Sequence, residues 1–128
     1  VRTIRRSPVI AAVLDALCLV IFVVAGRQSH GLDNSASWFF AVLWPIVVAW
    51  FAVALLVSLY TATSHARPRL AATVLLGVGL GLIVRIAVTH RDTPGAFVLV
   101  AYGFITLTTV GWRLVAAALP RVLARGRR

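Results

Sequence analysis

The chain has 128 residues, 61% of them hydrophobic, and a formal net charge of +10. That apolar share is more than a soluble domain of this size can hide in a core, which excludes an ordinary water-soluble enzyme or binding module. The charge is not that of a nucleic-acid reader either, because the basic residues flank apolar runs instead of lining one face between exposed aromatic platforms.

All 13 basic side chains are Arg, there is no Lys and no Glu, and the acids are Asp15, Asp33 and Asp92. With no Met in the sequence, a short N-terminal segment is expected to precede Val1.

The first predicted element is Pro8 to Gly26, preceded by Arg2, Arg5 and Arg6. Its flanks are those of a signal peptide, but its length and the Asp15 inside it argue for a retained transmembrane helix. An Asp near the middle of a spanning helix costs roughly 2.5 to 3.5 kcal/mol on insertion scales, so Asp15 needs a partner or a task. Cys18, the single cysteine, lies in the same run without a disulfide partner and is expected to be a small buried hydrophobe.

The second element is Ser37 to Tyr60. Pro45, after Trp44, removes a backbone donor and predicts a kink near Ala41, while Ala41, Pro45 and Ala49 form a small-residue packing face. Trp38 and Tyr60 stand at opposite ends as interfacial anchors. The third element, Leu70 to Thr89, carries Gly77 and Gly81 at the GxxxG spacing that admits a close neighbour, with Arg85 on the same stripe. The fourth, Phe97 to Leu119, has a polar and small stripe of Thr106, Thr109, Arg113, Ala116 and Ala117, and a basic tail over residues 120 to 128 follows it.

Each run approaches or exceeds the ~20 residues needed to cross ~30 Å of hydrocarbon at ~1.5 Å per residue. None alternates as a barrel strand would. The expected fold is therefore an all-α integral membrane protein, four transmembrane helices in an up-down bundle, forming a single domain over residues 1 to 128. Arg residues cluster at the N-terminus, the middle loop (Arg67, Arg69) and the tail, leaving only Arg27 and Arg91 on the other side. The positive-inside bias then places both termini in the cytoplasm, in a multi-pass protein of the cell membrane.

Counting from the cytoplasmic end sets the sharpest structural expectation. Asp15 is seven residues in from Pro8 and Arg113 seven residues in from Pro120, so both lie ~10 Å deep and are predicted to pair between the first and fourth helices. The competing view is a protonated Asp15 and an Arg113 that snorkels to the headgroups. Arg85, close to the outer end, either snorkels or points into the bundle beneath an outer set of Arg27, His30, His90 and Arg91, with Asp33 and Asp92 nearby. Such a set would suit a phosphate or carboxylate group, or else simply face water. His30 and His90 lack a third ligand, so no metal, haem or other cofactor is expected, and no nucleophile and base pair suggests catalysis.

Taken together, LDAL around Asp15, GRQSH at 26 to 30, WP at 44 and 45, Arg85, and GWR at 111 to 113 resemble a small four-span membrane family catalogued as domain of unknown function 3054. The resemblance implies the same membrane topology and singles out Asp15, Arg27, His30, Arg85 and Arg113. It implies no activity.

Three functions remain open. One is a non-enzymatic accessory or assembly subunit that packs against other membrane protein subunits or itself, surrounded by membrane lipids. A second is a small transporter using Asp15 as a proton or cation relay. It is similar in span count to the small multidrug exporters but departs from them in using Asp rather than Glu and in its strong charge bias. The third is the binding of a lipid or other anionic small molecule at the outer Arg and His set. No nucleic-acid partner is expected.

Overall fold

The computed structural model describes residues 8–29, 36–90 and 95–126, with side chains of residues 27–29 and 36–38 outside that description. Four helices are long and apolar enough to cross a membrane, and the described residues contain no strand. They are α1 (Pro8–Ser29), α2 (Ala36–Leu56), a third span built from α3 (Ala66–Ala72), a π-helical segment (Thr73–Val78) and α4 (Gly79–Thr89), and α5 (Gly95–Arg125). Neighbours in sequence are neighbours in space, and α1 closes the ring against α5, giving an up-down four-helix bundle.

Because the helices are apolar nearly all round, direction of burial is read from the few residues that differ. On α1 the positions Val9, Val13, Leu17 and Ile21 repeat every four residues and face outward, whereas Asp15, Cys18, Leu19, Phe22 and Val23 are buried. Lipid tails are as apolar as these outward side chains, so hydrophobicity alone does not hold the helices together. Close packing and hydrogen bonds between spans must.

The second and third spans use close packing. A Cβ on Gly81 would stand 2.9 Å from the Ile46 Cα, and one on Gly77 would stand 3.2 Å from the Trp50 Cα. Both glycines therefore let backbone lie directly on backbone, one helical turn apart on each partner. α2 runs as continuous helix through Pro45, which is fully buried at this contact, its carbonyl 3.4 Å from where a Gly81 Cβ would be.

The π-helical segment lies beside the same contact and turns its other side to α5. There the Tyr102 hydroxyl donates to the Leu75 carbonyl at 2.8 Å. A wide turn loosens the regular i to i−4 ladder, and such a carbonyl readily accepts a bond from a neighbouring helix.

Two features of α5 differ from the expectation. Its buried stripe runs through Ala101, Ile105 and Thr109, while Thr106 and Ala117, expected inside, face outward. Thr106 and Thr109 are three apart, but one helical turn is 3.6 residues, and the stripe that continues to Arg113 is the i, i+4 one. The helix also continues beyond Leu119, where the fourth span was expected to end, through Pro120 to Arg125, so residues 120 to 125 of the basic tail are helical.

Candidate functional site

At one end of the bundle the chain gathers its buried charge. Asp15 is fully buried, with a relative exposure of 0%, and faces α5. Arg113 meets it with both guanidinium arms: Nη1 donates to Oδ1 at 2.7 Å and Nη2 to Oδ2 at 2.8 Å. This fork-on-carboxylate geometry is the strongest form of the Arg and Asp pair. Trp112 Nε1 adds a bond to Oδ1 at 2.9 Å, and the Tyr60 hydroxyl adds one to Oδ2 at 2.8 Å. Each carboxylate oxygen thus accepts two bonds from N–H or O–H donors, the complement of an anion with its lone pairs used.

The cation is held as firmly. Arg113 Nη1 also donates to the Thr109 carbonyl at 2.9 Å, one turn back on α5, and its guanidinium stacks on the Trp112 ring at 4.3 Å. The side chain keeps 24% exposure, so the pair is sealed on the acid's side and less so on the arginine's.

Tyr60 reaches the site because of how α2 ends. Ser58 adopts a left-handed conformation with φ 54°. Its N–H donates to the Leu55 carbonyl at 3.1 Å, and the Leu59 N–H to the Ala54 carbonyl at 2.9 Å. That pair of bonds is the Schellman arrangement that closes a helix and reverses the chain. The reversal carries Tyr60 back over the bundle, where its hydroxyl also accepts a bond from Trp50 Nε1 of α2 at 3.0 Å. Arg69 in α3 fastens the turn from the other side, its Nε donating to the Ser64 carbonyl at 3.0 Å and its Nη1 to the Val57 carbonyl. The network therefore joins α1, α2 and α5 directly, and α3 through the turn.

Three members of this network, Trp50, Tyr60 and Trp112, were not expected from the sequence. Tyr60 is no interfacial anchor: its hydroxyl points to Asp15 instead of to headgroups. The available signal was chemical, since an aromatic with an N–H or O–H handle near a buried carboxylate is a natural donor, and Trp112 directly precedes Arg113.

The opposite end is built differently. Arg85 is half-buried with its guanidinium over the Phe97 ring of α5 at 4.8 Å, so it faces into the bundle. Phe22 lies between Phe97 and Phe104, with ring centroids 5.9 and 5.7 Å away. His90 is exposed and caps α4 in a left-handed conformation, its N–H donating to the Ile86 carbonyl at 2.8 Å. His30, Asp33, Arg91, Asp92 and the Arg27 side chain lie outside the described residues, so the outer set expected from the sequence is represented by Arg85 and His90 alone.

Cys18 is buried beside Thr108 on the turn after Asp15, with no second thiol in the chain. Among the described residues no three His, Cys, Asp or Glu side chains gather as a metal site would require.

Residues 12–116 match the model of a family described as "Protein of unknown function (DUF3054)". No curated protein and no solved structure matches the chain.

Proposed function

The chain belongs to that family of unknown function, and we propose that it is a non-enzymatic accessory or assembly subunit of a larger membrane complex. The observation that carries this reading is the saturation of Asp15, which accepts four hydrogen bonds from Arg113, Trp112 and Tyr60 while wholly buried. A carboxylate so enclosed stitches helices together. A relay needs an oxygen that opens to water and exchanges its partner during a cycle, and an enzyme needs a reactive group beside a space for substrate.

The arginine distribution supports a cell-membrane protein with both termini cytoplasmic. The outward faces of all four spans, from Ile21 on α1 to Leu107 on α5, offer broad apolar surface to lipid or to other membrane helices.

Gentle extraction from native membranes, followed by identification of co-purifying proteins, tests the proposal. A stoichiometric membrane partner is the expected outcome. A monodisperse species without other proteins, together with pH-driven flux in vesicles that is lost in Asp15→Asn and kept in Arg113→Ala, would replace it with transport.

A further inference from the structure

The end of the bundle that holds the Asp15 network also carries exposed arginines at the end of α5. α5 has 31 residues and so extends about 46 Å, well past the ~30 Å of hydrocarbon. The ion pair fixes its register against α1. Since Arg113 is level with Asp15, Arg121 and Arg125 fall about 2 to 8 Å beyond the level of Pro8, which is headgroup depth. They are four residues apart and share one face, while Leu119, Val122 and Leu123, all exposed, share another. A helix end with a basic face and an apolar face at that height is suited to the membrane interface.

Among the described residues no carboxylate competes for these side chains. Asp15 is the single acid among the described residues, and both its oxygens are taken. Asp33 and Asp92 belong to the connections that follow α1 and α4. The absence of Lys also bears on the ligand, because Arg grips a phosphate through two parallel N–H donors where Lys offers only a point charge.

We infer that Arg121 and Arg125 form a seat for the phosphate of an anionic phospholipid headgroup, with the acyl chains running down beside the apolar face of the α5 end. The inference depends on the membrane architecture and not on the accessory role.

The test reconstitutes the full chain in phosphatidylcholine bilayers and measures its relative association with spin-labelled phosphatidylglycerol and spin-labelled phosphatidylcholine. The expected result is a preference for phosphatidylglycerol of at least about fivefold, the effect of one arginine beside an anionic surface, falling as salt is raised. In the double variant Arg121→Gln, Arg125→Gln the preference should fall to less than about half of the parent's while helicity and unfolding temperature in phosphatidylcholine stay as in the parent. A preference undiminished in the double variant, or missing from the parent at low salt, overturns the assignment. So does displacement of the labelled lipid by inorganic phosphate at constant ionic strength, which would mark a site for free phosphate. Where that variant reconstitutes poorly, Arg121→Lys with Arg125→Lys decides, because it keeps the charge and loses the two-donor grip: a reduced preference is expected, and an unchanged one overturns the seat.

Discussion

The two helix contacts on opposite sides of the bundle solve the same problem by different means. Between α2 and the third span, Gly81 and Gly77 bring backbones so near that no Cβ fits comfortably. Between α1 and α5, a bidentate ion pair and two aromatic donors are buried instead. The glycine contact rests on shape, on the fit of two close approaches at Ile46 and Trp50. The charged contact fixes one depth and one rotation, because a guanidinium fork fits a carboxylate in few ways. In a lipid solvent that gives no hydrophobic reward for helix pairing, the first contact supplies close packing and the second supplies register.

The largest expected effect comes from unpairing the charge. Arg113→Ala leaves a buried anion with Tyr60 and Trp112 alone, and loss of one partner from a buried pair costs about 3 to 5 kcal/mol. Unfolding followed by steric trapping in bicelles would measure it. Asp15→Leu combined with Arg113→Leu should recover much of that loss, since no charge then remains to be solvated. A double variant as unstable as Arg113→Ala would mean that the pair acts through something other than its charge.

Next is Tyr60→Phe, which removes a hydrogen bond to a charged acceptor and leaves Trp50 Nε1 without its partner, for an expected loss of about 1.5 to 3 kcal/mol. Because Trp50 and Trp112 flank the site, their fluorescence should shift in the folded state. No shift and no loss of stability would place the hydroxyl outside the network.

On the glycine side, Gly81→Ala forces a methyl to within 2.9 Å of the Ile46 Cα and is expected to destabilise by about 1 to 3 kcal/mol. Gly77→Ala, at 3.2 Å from the Trp50 Cα, should cost less. Equal costs at the two positions would show that the spans shift apart as a unit instead of yielding at the tighter approach.

How far these contacts could be seen in the sequence follows from what each depends on. Four spans are visible because ~20 apolar residues are required whatever the neighbours. The common depth of Asp15 and Arg113 needs only a rise per residue counted from one membrane face, and the structure holds them 2.7 Å apart. Gly77 and Gly81 declare themselves by spacing, though not their partner, which depends on helix order. Tyr60 was hidden because its position depends on a chain reversal at Ser58, a residue with no left-handed preference, so nothing local signals the Schellman turn. The outward rotation of Thr106 and Ala117 was hidden for a related reason: polarity suggests an inner face, but Thr can bond its own helix and does not need one. Pro120 suggested a helix end, yet the chain continues helical to Arg125.

The smallest expected effect sharpens the contrast most directly, because it adds stability instead of removing it. Ser58 holds a positive φ that costs a residue with a Cβ roughly 1 to 2 kcal/mol, and glycine would adopt it without that cost. Ser58→Gly is therefore expected to stabilise the bundle by about 0.5 kcal/mol once the greater freedom of unfolded glycine is subtracted. The gain should be read as slower amide exchange at Ser58 and Leu59, whose N–H groups make the closing bonds of α2. The latch on the charged side depends on this strained residue, whereas Gly77 and Gly81 lie within continuous helical turns. If Ser58→Gly slows exchange at Ser58 and Leu59 but not around Gly77 and Gly81, the two sides are independent units joined only through α2. If protection rises on both sides together, the polar latch sets the stability of the whole bundle, and the glycine contact is its consequence.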